Sequence, residues 1–231
     1  MSFLVDSFLS AIRLMASLDA ALIEIVAVSL KVSFSSTGIA CFVGIPAGFA
    51  LSTYDFAFKR SVITILNTML ALPTVVIGLF VYAFISRNSV FGTYDLLYTQ
   101  QAIIIGQCIL IIPIVTVFTL SAINRIDKRY RKTALTLGAD PIQTAGIILT
   151  EARFGITAAV VAAFGRVISE IGISMMLGGN IRGFTRTMTT AMALEYDKGE
   201  FVLAVALGII LLSISLFVNI VLHYFQGKMP E

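Results

Sequence analysis

An arginine and a glutamate four residues apart, Arg166 and Glu170, stand inside an otherwise apolar run from 154 to 178. On a helix they are neighbours on one side. Each charge costs at least about 2.5 to 3.5 kcal/mol to place within a bilayer, so each needs compensation. Two readings follow. Either the pair merely neutralises itself, or it stands on a transport path or its gate. Just beyond it comes a second polar group, Asn180, Arg182, Thr185, Arg186, Thr187 and Thr189, whose amide, hydroxyls and cations are the groups that line a polar path. An ordinary extramembrane loop displays the same groups. Covalent chemistry finds no such constellation. The single His223 ends an apolar run, and Cys41 and Cys108 each lie alone in apolar blocks as small buried hydrophobes. The stretch Gly178 to Thr185 has the glycine spacing of a phosphate-binding loop, but Phe184 replaces its lysine, which excludes that reading. The expectation is therefore no catalytic residues and no metal ligands.

The elements that must hold these residues are membrane helices. Of 231 residues, 58% are hydrophobic and 13% charged, and the mean hydropathy is +0.97, far from soluble globular chains. The net charge of +3 is too modest to argue for nucleic acid. Spans are read at about 27–51, 61–86, 100–123, 154–178 and 201–225, each long enough for the roughly 20 residues a hydrocarbon core requires. All five belong to one domain covering residues 1–231. Gly44 and Gly48 in the first span allow close approach of another helix. Pro46, Pro73 and Pro113 are expected to bend their spans, and the second and third spans each carry an amide in their interior, Asn67 and Gln107. In the fourth, Gly155, Ala158, Ala162, Gly165, Ser169 and Gly172 recur at three- and four-residue steps, a small-residue face for a neighbouring helix or subunit. Residues 2–18 gather Leu4, Phe8, Ile12, Met15 and Leu18 on one side, the pattern of an amphipathic helix on the membrane surface.

The longest polar interruption runs from Arg125 to Arg153 and holds six of the sixteen basic residues. A first helix is expected through Ala134 and Leu137, a stop at Gly138, a cap at Asp140, and a second helix opening at Pro141. Ile142, Ala145 and Leu149 then form a stripe at helical spacing. Grouping alternate loops puts nine basic residues on the side of this stretch, Lys228 among them, against five on the other. The positive-inside bias places it in the cytoplasm, with the N-terminus outside and the C-terminus inside.

This helix-turn-helix resembles the EAA loop of ABC importer permeases. Ala134, Gly138 and Ile148 match that pattern, while Lys132 stands at its Glu, Thr133 at its first Ala and Thr150-Glu151 at its Leu-Pro. The resemblance implies that Lys132, Thr133, Ala134, Gly138, Ala139, Asp140 and Pro141 dock a separate ATPase. The segment from Phe164 to Phe201 is similar to the molybdate, tungstate and sulfate branch of these permeases. Arg166, Glu170 and Gly172, then Gly179-Asn180-Ile181 and the threonines Thr185, Thr187, Thr189 and Thr190, carry the likeness. The form Gly-Asn-Ile-Arg-Gly-Phe-Thr-Arg looks most like tungstate permeases. What the resemblance implies is an all-α membrane protein of the type I importer fold with five transmembrane helices, forming a homodimer in the cell (inner) membrane. Two cytoplasmic ATPase subunits would bind ATP and Mg, leaving this chain without a cofactor, and an extracytoplasmic binding protein would deliver the oxyanion. The competing class is an ion-coupled secondary transporter or a channel for a small anion, which needs coupling carboxylates or a filter in the spans. Glu170 is the only acidic residue deep in one.

Overall fold

A computed structural model describes residues 2–17 and 19–226; Leu18 and residues 227–231, Lys228 included, lie outside it, as does the side chain of His223. The described chain is built of α-helices and one short 3₁₀ turn at Gly92–Tyr94. Helix α1 covers Ser2–Ala16 and α2 covers Ala20–Thr53. Asp19 starts α2 by accepting the Ala21 and Leu22 amides. Its 34 residues make a rod about 51 Å long. Pro46 lies inside it without ending it. The partner of α2 is α5, Gln100–Asn124, which likewise runs unbroken through Pro113. The two pack where Gly44 and Gly48 bring the backbones together: a Cβ at Gly48 would lie 2.6 Å from the Thr116 carbonyl, and one at Gly44 would lie 2.9 Å from Val115. The glycine pair reads correctly from the sequence as a close-approach site.

The second expected span, 61–86, is two helices, α3 (Lys59–Leu70) and α4 (Thr74–Ile85), meeting at 105°. Pro73 stands extended at φ −63 and ψ 132 as the cap of α4. Its ring disfavours a helical residue before it and offers no N–H, and here, unlike at Pro46 and Pro113, the chain breaks instead of continuing. The fourth expected span, 154–178, also breaks. Helix α8 (Arg153–Ile168) stops, Ser169 to Ile171 intervene, and α9 (Gly172–Gly178) begins. Between α5 and α8 come α6 (Lys128–Thr136) and α7 (Pro141–Glu151), with α7 bent by 67° into α8 at Ala152. The chain closes with α10 (Met188–Asp197) and α11 (Phe201–Gln226). By length and composition α2, α5 and α11 can each cross a membrane, and the two bent pairs α3–α4 and α7–α8 bring the number to as many as five among the described residues.

The main core joins α2, α4, α5, α8 and α9 through Ala40, Val81, Ile111, Val115, Val167 and Ile173. A second cluster, Leu22, Phe164, Ile168, Ala191 and Leu207, holds α10 and α11 against α2 and α8. Helix α1 joins it through Ala11, Leu14 and Met15. The expected face placed Ile12 with Met15, but Ile12 points outward and Ala11 is the fully buried residue. The small Ala11 lets α1 lie close along α11, a protein contact that a purely surface-bound helix would lack. Leu212, Leu216, Phe217 and Ile220 on α11 remain exposed, a face made for lipid.

Candidate functional site

Two regions gather the residues singled out in the sequence. The first is the turn between α6 and α7. Gly138 has φ +82, the left-handed conformation that favours glycine, and no atom lies within 4 Å of a Cβ built there. Its amide reaches the Leu135 carbonyl at 3.1 Å and the Ala139 amide reaches the Ala134 carbonyl at 3.0 Å, the double closure of a helix end. Asp140 accepts the Gln143 amide at 2.7 Å while the Gln143 side chain accepts the Asp140 amide at 3.0 Å, and Pro141 opens α7. Lys132, Thr133, Gly138, Asp140 and Pro141 are exposed, Ala139 is half-buried and Ala134 is buried.

The stripe expected on α7 is turned. Ile142 is 83% exposed, and Thr144 and Ile148 are the buried residues, flanked by half-buried Ala145 and Leu149. The inward face is set by docking: Ile148 and Ala152 pack with Ile123 of α5 and Phe49 of α2. Leu137, 82% exposed, adds a second bare apolar side chain beside the turn.

The second region is the break between α8 and α9. Arg166 donates to Glu170 at 2.7 Å, with side chains 41% and 3% exposed. The second carboxylate oxygen accepts the Ile173 amide at 3.2 Å and so caps α9. The break is held from three distant elements. Gln107 of α5 donates to the Val167 carbonyl at 3.4 Å, Ser36 of α2 donates to Gln107 at 2.8 Å, and the Thr189 hydroxyl donates to the Glu170 carbonyl at 2.8 Å. A Cβ at Gly172 would lie 3.0 Å from the Thr74 hydroxyl and 3.3 Å from Glu170, so the breaks of both interrupted spans meet at one level.

The threonine loop differs from its expected form. Instead of displaying hydroxyls, it buries Thr185, Thr187, Thr189 and Thr190. Thr185 donates to the Gly178 carbonyl at 2.5 Å and accepts the Ile181 amide; Thr187 and Thr190 cap α10 reciprocally. The backbone needs these oxygens, because Gly179 and Asn180 in left-handed conformation and the turn to α10 leave amides and carbonyls unpaired by helix. Arg186 donates to the Asn180 side chain at 3.2 Å, which leaves Arg182 as the exposed member of the group. Sequence reasoning missed Ser29, which accepts the Met188 amide at 2.6 Å, as well as Ser36 and Thr74. A signal was present: Ser29, Ser33, Ser36, Ala40, Gly44 and Gly48 recur at three- and four-residue steps along the buried face of α2.

The sequence that builds this helical architecture matches the model of a known family over most of its length. The model described as "Binding-protein-dependent transport system inner membrane component" fits residues 42–230. The chain belongs to this family. Among its relatives, this permease is 38% identical to a "Probable anion ABC transporter permease protein" of Haloferax volcanii over 90% of this chain and 92% of that one. It is 35% identical to the tungstate uptake system permease protein TupB of Peptoclostridium acidaminophilum over 99% of this chain and 100% of that one. In fold the permease resembles a chain of the crystal structure of a bacterial alginate ABC transporter in complex with an alginate pentasaccharide-bound periplasmic protein. The TM-score there is 0.76 at 17% identity, over 92% of this chain and 80% of that one.

Proposed function

We propose that this permease carries a tetrahedral oxyanion, tungstate first and molybdate or sulfate after it, as the membrane subunit of an ABC importer. The observation that carries this reading is the end-to-end similarity to a tungstate uptake permease. Two copies form the membrane unit, and two cytoplasmic ATPases, which hold ATP and Mg, dock on the α6–α7 turns. This chain supplies no nucleotide site of its own. An extracytoplasmic binding protein delivers the ion to the face that carries Arg182 and Arg186, with the N-terminus on that side and the C-terminus in the cytoplasm. The small-residue face of α8 supports a pairing role, since Gly165 has no atom within 4 Å of a Cβ position and Ala162 is exposed.

The chain's own residues suggest how the motion travels. Exposed Leu137 and Ile142 flank a rigid turn and offer the ATPase an apolar contact. Ala152 ends α7 and starts α8, so a push on the turn passes into a 16-residue rod, about 24 Å long. At the far end of that rod are Arg166 and the break at Glu170. A permeating dianion needs a polar route, because hydrocarbon offers it no solvation, and a salt bridge with a half-exposed arginine can yield to it. The test is uptake at trace concentrations in a strain lacking this subunit. Loss of tungstate accumulation with intact amino acid and sugar uptake is expected. Unchanged tungstate accumulation with collapse of another solute would contradict the assignment.

A further inference from the structure

The two halves of the interrupted second span expose opposite chemistry. Helix α4 turns Val75, Leu79, Phe80 and Phe84 outward, a surface that hydrocarbon solvates well. Helix α3 turns Arg60, Ser61, Thr64, Asn67 and Thr68 outward, and its cap Ala71 faces the same way. At 100° per residue these six fall within an arc of about 120°, with exposed Ile65 and Leu70 at its margins. The opposite face, Val62, Leu66 and Met69, is half-buried.

Depth fixes what that polar face meets. Val62 and Leu66 share a cavity of about 460 Å³ with Leu51 of α2 and Thr116 of α5. Met69 and Leu72 share one of about 610 Å³ with Ile105 and Ile109 of α5. Helix α3 therefore climbs alongside the middle of the apolar α5, from the level of Thr116 to that of Ile109, and ends at the level where the two breaks meet. It is not a helix lying at the membrane surface. Thr64 and Thr68 donate back to the carbonyls of Arg60 and Thr64 at 2.9 Å. The Asn67 side chain makes no hydrogen bond among the described residues. At the start of the helix Lys59 is held by Asp55 at 2.9 Å, whereas Arg60 forms no ion pair among the described residues. An unpaired amide on an outward face at bilayer depth is costly against lipid and is tolerated where the face lines water.

We propose that the polar face of α3 lines the inner half of the anion's route, below the break at Glu170, with Asn67 as the donor that contacts the passing ion and Arg60 drawing anions to the cytoplasmic mouth. This rests on the importer reading above and adds residues from a different helix to it. In an aqueous vestibule the Ser61 hydroxyl and the Asn67 amide replace hydration water, while the back-bonded threonines keep the wall polar without holding the ion tightly. Such a wall permits release, which a route must do as well as admit.

The test uses the assembled complex in inside-out vesicles, with Cys41 and Cys108 replaced by alanine and single cysteines placed by Thr64→Cys, Asn67→Cys, Val62→Cys and Leu66→Cys. Each is treated with an anionic, membrane-impermeant methanethiosulfonate, and the modification rate is read by mass spectrometry. Modification at 64 and 67 is expected to be roughly tenfold or more faster than at 62 and 66, since hydrocarbon excludes the charged reagent. Adding Arg60→Gln is expected to slow the anionic reagent at 67 relative to a cationic one of the same size. Modification of 64 and 67 by a membrane-permeant maleimide alone would mean that the face meets lipid. Disulfide formation between the two copies at 67 without access to the anionic reagent would mean that it packs against the second subunit. Either result overturns the proposal. The labelling pattern does not depend on which solute is carried, and tungstate uptake measured on the same vesicles reports separately on the importer reading.

Discussion

The turn between α6 and α7 and the break between α8 and α9 are both interruptions of helix, yet they are specified in opposite ways. At the turn every determinant is local. Gly138 closes α6, Asp140 and Gln143 cap each other three residues apart, and Pro141 opens α7. At the break the determinants come from afar. Gln107 reaches the Val167 carbonyl from 60 residues away, and Thr189 reaches the Glu170 carbonyl from 19 away. A turn encoded locally can be handed to a partner as a rigid contact. A break held by other helices responds when those helices move, which is what a gate requires.

The largest effect expected from this contrast is at the turn. Gly138→Val puts a β-branched residue at φ +82, a strain of about 1 to 3 kcal/mol. Because no neighbour crowds the site, the strain is relieved only by reshaping the turn. Membrane insertion should persist while ATPase copurification and uptake are lost. A stably inserted Gly138→Val variant with normal transport would mean that the turn's shape does not matter.

A smaller effect is expected at the break. Thr189→Val removes the hydroxyl that pairs with the buried Glu170 carbonyl, at a cost of about 1 to 3 kcal/mol. Thermal unfolding in detergent should shift down, with Thr189→Ser restoring most of it. If Thr189→Val left stability intact and abolished uptake, the hydroxyl would face the ion after all.

The difference between the regions also explains what could be read from the chain. In the helix-turn-helix the stop at Gly138, the cap at Asp140 and the start at Pro141 were legible, because cap and stop signals act within four residues, while α6 itself ends at Thr136, one residue short of the expected Leu137. Outward Ile142 was misread because burial there depends on where Ile123 and Phe49 lie. Pro73 was visible as a perturbation, but whether a proline bends or breaks a span depends on the packing around it: Pro46 and Pro113 sit inside continuous helices. The break at Ser169 to Ile171 carries no proline at all. Its threonines looked like ligands for an ion because sequence shows a hydroxyl's presence and hides its partner.

The smallest effect serves as a control. Lys59 hydrogen-bonds Asp55 and holds that carboxyl below the usual carboxylate range. The contribution of the pair is present above the ordinary carboxylate pKa and is lost as pH falls through the lowered one. Asp55 is exposed, so Asp55→Asn should leave unfolding at neutral pH unchanged within error. A clear loss would show that charge pairs in this protein act alike regardless of burial.

The central claim is that the pair at the break gates passage and is more than a neutralised charge. A double-mutant cycle on Arg166→Gln and Glu170→Gln, reading thermal stability and ATP-dependent uptake of radiolabelled tungstate by the reconstituted complex, tests it most directly. Loss of one partner is costly when it strands the other, by about 3 to 5 kcal/mol for a fully buried pair, and less here because Arg166 is half-exposed. The double variant is expected to regain stability and still fail to couple ATP hydrolysis to uptake. A double variant that is stable and transports at the native rate would reduce the pair to mutual neutralisation and contradict the account.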